Sequence, residues 1–553
     1  MNITTRLILS SLACKAGAFE KLTKNPVEIQ KKVLFQYLAR NKDTEYGRRY
    51  KFADIKSISD YQKTVPMSDC DSLRSYLDRV ARGEKNVLTR DNPIFFGMTS
   101  GTTAKPKLIP VTEYSKVKKV ELMNLWGYYT WRDHPKIIDG KILAIISPEV
   151  EGSTEAELPY GAESGHAYKN LLYFFKRFYA LPYEVFEIMD YEVRYYCILR
   201  ISMEEDITSI ATLNPSTIVI LCEKIAKYHE KIIEDIANGT LNKDMDVPKN
   251  IRANIERSLR PDPKKAETLR RILSEKGELL PKDFWPNLEL IECWKAGAMR
   301  LYLKELARYF GDMPVRDLGC LSTEARSSIP MSDKGAAGVL AIGTNFYEFL
   351  PIEDLCKKKK RFLLCDQVER GKEYFIIITT PGGLYRYNID DIITVDGFFN
   401  NTPMIEFVQK GLSASSLVGE KLYESQVCEA INKAADRNKL LIEFFLTVPE
   451  RRFPPNYAFL VEFEETPPPG GEKALLESLE EELYNQNAEY RDKRKQGLLG
   501  PPVLKIVKKG SFEKYRAARI KQGAHDSQFK VPELTNDPAL QDNFSIEREI
   551  YYR

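Results

Sequence analysis

From about residue 5 to residue 90 apolar side chains recur at helical spacing, and acidic and basic residues mix on the positions between them. This predicts helices with solvated charged faces, interrupted by a turn at Asp43-Thr44-Glu45-Tyr46-Gly47. Beyond it, short apolar runs alternate with helical segments. Pro93–Met98, Lys141–Ser147, Thr217–Leu221, Leu288–Cys293, Val315–Leu318 and Gly338–Gly343 read as strands, and that alternation implies an α/β architecture. Tyr374–Thr380, Gly383–Tyr387 and Ile392–Val395 read as short strands around a Pro-Gly-Gly turn, a β-rich subregion. A boundary is expected near Gln409-Lys410-Gly411. After it come a helix from Glu424, strands Leu441–Thr447 and Tyr457–Phe463, a proline-glycine loop at 467–471 and an acidic helix from Leu475. The expected organisation is a large domain of mixed sheets flanked by helices, residues 1–409, and a small α+β domain, residues 410–553.

Composition narrows the class. The 553 residues are 43% hydrophobic and 29% charged, ordinary for a chain that buries a large core. Lys and Arg number 82 against 79 Asp and Glu, a net +3, which directs no strong field toward nucleic acid or an anionic membrane. Nine scattered cysteines without a C-x-x-C pair, and only four histidines, argue for reduced thiols in a cytoplasmic protein and against a structural zinc site. Ser11 sits where a lipoprotein signal before Cys14 would place leucine, so the first segment reads as an amphipathic helix. No run of about 18 apolar residues is present, so no membrane span is expected.

The most informative stretch is FFGMTSGTTAKPKLIPVT, Phe95 to Thr112. A strand ends in Thr99-Ser100-Gly101-Thr102-Thr103, two lysines follow at 105 and 107, and a second strand leads to a helix opened by Thr112. Glycine lets backbone approach a ligand closely, hydroxyls and N–H groups donate to phosphate oxygens, and the lysines offset charge. The string is neither a Walker loop nor a dinucleotide fingerprint. It predicts a phosphate-binding loop.

TSGTT-x-x-P-K resembles the phosphate-loop signature of the acyl-adenylate-forming superfamily. The chain as a whole is similar to the acyl-acid amido synthetases of the auxin-responsive, Gretchen Hagen type, particularly their bacterial members. The resemblance runs through Asp43–Arg48, Val65-Pro66, Asn214-Pro215-Ser216, Asn345–Pro351, Leu384-Tyr385-Arg386-Tyr387, Gly419–Val427 and Gln528–Pro532. It implies that Thr99, Ser100, Gly101, Thr102 and Thr103 bind ATP phosphates, that Thr323 contacts a phosphate, and that Glu324 holds Mg²⁺ with hard carboxylate oxygens. Asp391 would accept both ribose hydroxyls, Lys410 would act as the hinge, and Lys530 would stabilise charge at the α-phosphate as pyrophosphate leaves. Four positions depart from the family pattern: Cys320 for tyrosine, Ala325 for glycine, Asp390 for glycine and Lys410 for arginine. With Cys320 in place of the tyrosine, Tyr347 is the residue expected to offer adenine a stacking surface.

The implied activity is an ATP- and Mg²⁺-dependent ligase. A small carboxylic acid becomes acyl-AMP, and an amine, expected to be an amino acid, then takes the acyl group. The first step needs no general base, since a carboxylate is ionised at neutral pH. A monomer acting on small molecules, without nucleic acid or membrane partners, is expected. Two alternatives stay open: a thiol acceptor such as coenzyme A, and a nucleotide-binding relic without catalysis, suggested by the departures. His525 is a candidate base for the amine, although an exposed histidine is the plainer reading. The helix Tyr114–Trp131, with Leu122, Met123, Trp126 and Tyr129, and the loop Leu158–Gly165 are candidate walls for the acid, or simply core.

Overall fold

The computed structural model describes residues 3–99, 107–171, 173–355, 357, 359–411, 414–415, 417, 420, 422–450, 452, 454–495, 497, 499–521 and 531–552. The chain forms two units, Met1–Phe407 and Val408–Arg553. In the first, helices Pro26–Asn41 and Cys70–Ala81 bury Val33, Leu34, Tyr37, Leu73 and Leu77 in one core with a six-stranded sheet. The strand order is Phe346–Pro351, Glu373–Thr379, Tyr387–Phe399, Thr402–Lys410, Gly338–Leu340, Ser328–Ile329. Buried Gln30 pins helix to sheet. Its Nε2 donates to the carbonyls of Ile342 (2.7 Å) and Asn345 (2.6 Å), and its Oε1 accepts from the Tyr347 N–H (2.8 Å). One side chain thus satisfies three backbone groups that the strand start would otherwise leave unpaired.

A second core surrounds a parallel sheet, ordered Lys141–Ala144, Ile207–Ala211, Leu290–Glu292, Val315–Arg316. Helices Tyr191–Ser202 and Pro215–Asn238 bury Ile198, Leu199, Ile218 and Leu221 in it, as expected of a parallel layer with covered faces. The third sheet holds the antiparallel pair Pro93–Thr99 and Lys107–Thr112, with Pro159–Gly161 and Gly152–Ser153 beside it. In the second unit, strands Ile442–Glu450, Asn456–Phe463, Val503–Val507 and Ile546–Tyr551 form a sheet in chain order, accompanied by helices Glu424–Asn438 and Gly471–Gln486.

This is the α/β class expected, with two corrections. Thr217–Leu221 is helix, not strand. Asn214 caps it, Oδ1 accepting from the Ser216 N–H (3.0 Å), Pro215 takes the first turn, and Thr217, Ile218 and Leu221 of the run are buried. Residues 383–386 are not a strand either. Gly383 has φ +93° and Thr380 N–H donates to the Leu384 carbonyl (2.9 Å), so Pro381–Gly383 forms a tight turn. The strand resumes at Tyr387 and runs unbroken to Phe399.

Candidate active site

The hairpin Pro93–Thr99 and Lys107–Thr112 carries the loop singled out by sequence. It leads into helix Glu113–Asp133 through a capping box in which Thr112 Oγ1 accepts from the Ser115 N–H (3.1 Å) and Ser115 Oγ accepts from the Thr112 N–H (2.9 Å). Thr99 is the last residue of its strand, while Ser100, Gly101, Thr102 and Thr103 lie outside the described residues. What packs against the hairpin is described. A methyl placed on Gly97 would meet Thr323 Cγ2 at 2.4 Å and Glu163 Cγ at 3.2 Å, so the Thr323 segment lies directly on the strand that feeds the loop.

Leu321 pairs with Arg326, and Ser322 N–H donates to the Ala325 carbonyl (2.9 Å). Thr323 and Glu324 are therefore the tip of a tight turn. Lys119, on helix Glu113–Asp133, holds that turn by donating Nζ to the Thr323 carbonyl (2.8 Å) and to Glu163 Oε1 (2.5 Å). Neither Lys119 nor Glu163 stands out in the sequence, because only the fold joins them. On the same short helix as Glu163, His166 pairs through Nδ1 with Glu149 Oε1 (2.8 Å) and stacks on Phe95 with ring centroids 4.3 Å apart.

Asp391 sits in a bulge. Ile377 faces Asn388 while Phe375 faces Ile392, so Ile389, Asp390 and Asp391 share the space opposite Ile376. Asp390 takes φ +62°, a conformation that glycine adopts freely and Asp or Asn tolerate better than other side chains. Its N–H donates to Asn388 Oδ1 (2.9 Å). Glycine would suit this position, and aspartate is a workable occupant. Asp391 is 8% exposed. Burial pushes the Cys320 thiol far up, and the carboxylates of Asp317, Asp391 and Glu406 add to it. Burial likewise raises the Tyr387 phenol, and the Glu324 carboxylate raises it further. Asp391 therefore lies near Cys320, and Glu324 near Tyr387.

Several motif residues turn out to be the frame of this bulge. Arg386, itself at φ +46°, is buried with Glu348. Nε donates to Glu348 Oε2 (2.9 Å), Nη2 to Oε1 (2.9 Å), and Nη1 to the carbonyls of Gln62 (2.8 Å) and Val65 (2.7 Å). Ser68 N–H donates to the Arg386 carbonyl (2.9 Å) and Asn388 N–H to the Ser68 carbonyl (2.7 Å). Tyr385 stacks on Tyr46 at 5.0 Å and donates its hydroxyl to the Leu88 carbonyl (2.9 Å). Tyr347 is 1% exposed, and its hydroxyl takes the Asn345 amide (2.9 Å). It is a packed core ring here, without the open face that adenine stacking needs.

A cleft opens between helix Glu113–Asp133, the 322–325 turn and the Pro381–Gly383 turn. Ile109, Lys119, Leu122, Glu324, Arg326 and Leu384 contribute to its lining. Trp126 and Tyr129 are core, 8% and 0% exposed, while Met123 is 47% exposed. Arg326 is 3% exposed; burial pulls its guanidinium down to about 10, against the opposing charge of Asp317, so it stays cationic at neutral pH. Lys410 ends the strand Thr402–Lys410. Lys530 and His525 lie outside the described residues. The segment that follows Lys530 is tethered within its own unit: Thr447 N–H donates to the Glu533 carbonyl (2.8 Å), Thr535 N–H to the Thr447 carbonyl (3.0 Å), and Glu533 N–H to Glu424 Oε1 (2.7 Å). Among the described residues no helix is long and apolar enough to cross a membrane.

Comparison with known proteins places this arrangement. Residues 15–315 match the GH3 family N-terminal domain, 338–410 the GH3 family central domain, and 425–539 the GH3 family C-terminal domain. The chain is similar to an indole-3-acetic acid-amido synthetase, GH3.3 of Arabidopsis thaliana, 27% identical with 93% of this chain and 90% of that protein covered. It is similar also to a jasmonoyl-L-amino acid synthetase, JAR4 of Nicotiana attenuata, 27% identical with 93% and 92% covered. The solved GH3.15 acyl acid amido synthetase has the same fold, with a TM-score of 0.86 at 23% identity and 97% of each chain covered.

Proposed function

The chain belongs to the GH3 family, and on that premise we propose that it is an ATP-dependent acyl-acid amido synthetase. A carboxylate attacks the α-phosphorus of ATP, forming the acyl–phosphate bond of acyl-AMP and expelling pyrophosphate. An amino acid's amine then attacks the acyl carbon, AMP leaves with the bonding pair, and the amine loses a proton. The observation that carries the reading is the packing of the Thr323–Glu324 turn on Gly97. It sets Thr323, with Glu324 next to it in the turn, beside the strand that feeds the Ser100–Thr103 loop.

In this reading Thr99, Ser100, Gly101, Thr102, Thr103 and Thr323 bind the phosphates, and Asp391 accepts the ribose hydroxyls. Glu324 holds Mg²⁺. Among the described residues no three His, Cys, Asp or Glu side chains form a cage, so one turn-tip carboxylate suits an ion that takes one or two carboxylates and completes its shell with phosphate oxygens and water. The ion, when bound, neutralises charge on the leaving pyrophosphate. Lys410 serves as hinge and Lys530 as the donor at the α-phosphate. The enzyme works as a cytoplasmic monomer on small molecules.

The test separates the half-reactions. Lys530→Ala given acid and ATP should lose on the order of 10²–10³ in pyrophosphate exchange, while pre-formed acyl-AMP and amino acid still yield amide at a near-normal rate. Equal loss in both assays refutes the role of Lys530. Products carrying coenzyme A instead of an amino acid refute the acceptor.

A further inference from the structure

We propose that Arg326 selects the acid, and that the substrate is a carboxylic acid with a second anionic oxygen group at its far end. This rests on the reading that the cleft receives the acid to be adenylated.

Position carries the first part. Helix Glu113–Asp133 serves as a ruler along the cleft. Lys119 bonds the Thr323 carbonyl, at the level of Gly97. The Arg326 guanidinium reaches residues farther along the helix: Nη2 lies 3.9 Å from Met123 Sδ, and the group stands 5.6 Å from the Trp126 ring centre. Four and seven residues at 1.5 Å each put it roughly 6 and 10 Å beyond Lys119. An acid whose reacting carboxylate lies near Thr323 presents its tail to Arg326.

Chemistry carries the second. Buried Arg386 faces Glu348, buried Arg316 faces Asp133 and Asp333, and buried Arg200 faces Glu204. Arg194 gives two donors to the Ile188 carbonyl. Arg326 gives Nη1 to the Leu318 carbonyl (2.8 Å), and among the described residues no carboxylate stands within ion-pair distance of it. Asp317, the nearby acid, accepts the N–H groups of Lys295 and Gly319. A buried cation with no carboxylate partner, on a cleft it lines together with apolar Leu122, gains most from an anion. A neutral hydroxyl would leave the charge uncompensated.

The experiment compares adipate, pimelate and suberate with hexanoate, heptanoate and octanoate in ATP–pyrophosphate exchange, with calorimetric binding measured in the absence of ATP. One diacid should have kcat/KM above its matched monoacid by about 10–100-fold, mainly through KM. Arg326→Met should collapse that ratio toward one, and Arg326→Lys should restore part of it. A variant that melts earlier and loses both acids equally assigns Arg326 to structure and overturns the proposal, as does the absence of preference for any diacid. Exchange with monoacids alone would sink this inference and leave the ligase reading intact. Arg326-dependent diacid binding without any exchange would do the reverse.

Discussion

Gly97→Ala adds one methyl group at the point where the candidate site is most tightly packed. The new Cβ would lie 2.4 Å from Thr323 Cγ2, against an ordinary contact of at least 3.4 Å, so the partners must separate by about 1 Å. The backbone at Gly97 is extended and paired on both sides, with Ile109 and with Gly161, and cannot recoil. The 322–325 turn must yield instead. Overpacking of this kind costs about 1–3 kcal/mol in stability, and a 1 Å misplacement near the chemistry costs about 100-fold in rate. Urea unfolding and ATP–pyrophosphate exchange read the two losses. Thr323→Ser removes the clashing methyl and keeps the hydroxyl, so the Gly97→Ala/Thr323→Ser double variant should recover to within about threefold of Thr323→Ser alone, a coupling of about 2 kcal/mol. Full activity in Gly97→Ala, or losses that simply add in the double variant, would refute the argument that this turn is part of the site.

Asp391→Ala should raise the KM for ATP about 10–100-fold in exchange assays. Asp390→Gly should leave it within about threefold, and should equal or exceed wild type in urea stability, because it relieves a positive-φ side chain worth about 1 kcal/mol; the opposite ranking would mean Asp390 faces the ribose. Glu348→Ala strands the buried Arg386 charge and should cost about 3–5 kcal/mol in urea unfolding; a loss under 1 kcal/mol would show the pair is not what frames the bulge. Glu292 is pushed up to about 7 by burial, opposed by Arg316 and Ser209. The folded protein therefore keeps a proton that the unfolded chain releases near pH 4, and stability falls as pH rises from about 4 to 7, then levels. Glu292→Gln should gain on wild type by about 3 kcal/mol between pH 4 and pH 8. A pH-independent difference between the two proteins would contradict this.

How much is legible in the sequence depends on how local the determinant is. The hairpin and the helix that follows it are readable because Phe95–Met98, the hydroxyl-rich string and Thr112 carry their signals within a few residues. Thr217–Leu221 misleads because TIVIL is rich in β-branched residues. The decisive signal is the Asn214-Pro215 cap immediately before it, and the strand of that layer is Ile207–Ala211. The tight turn at Ser322–Ala325 depends on Leu321 pairing with Arg326. The Asp391 bulge is likewise a tertiary outcome: its register is set by Phe375 opposite Ile392 and Ile377 opposite Asn388. Arg386 and Glu348 lie 38 residues apart, and no local pattern pairs them. Arg326 is one of 82 basic residues until the cleft beside it gives its charge a meaning.

The acyl-adenylate itself is the central claim, and an oxygen label tests it most directly. With both carboxylate oxygens of the acid carrying ¹⁸O, attack on the α-phosphorus followed by aminolysis must leave one labelled oxygen on the phosphate of AMP and one in the amide product. Mass spectrometry of the nucleotide should therefore find AMP heavier by one ¹⁸O for each amide made, with unlabelled pyrophosphate. Label in inorganic phosphate, with ADP as the nucleotide product, would mean an acyl phosphate and would contradict the account.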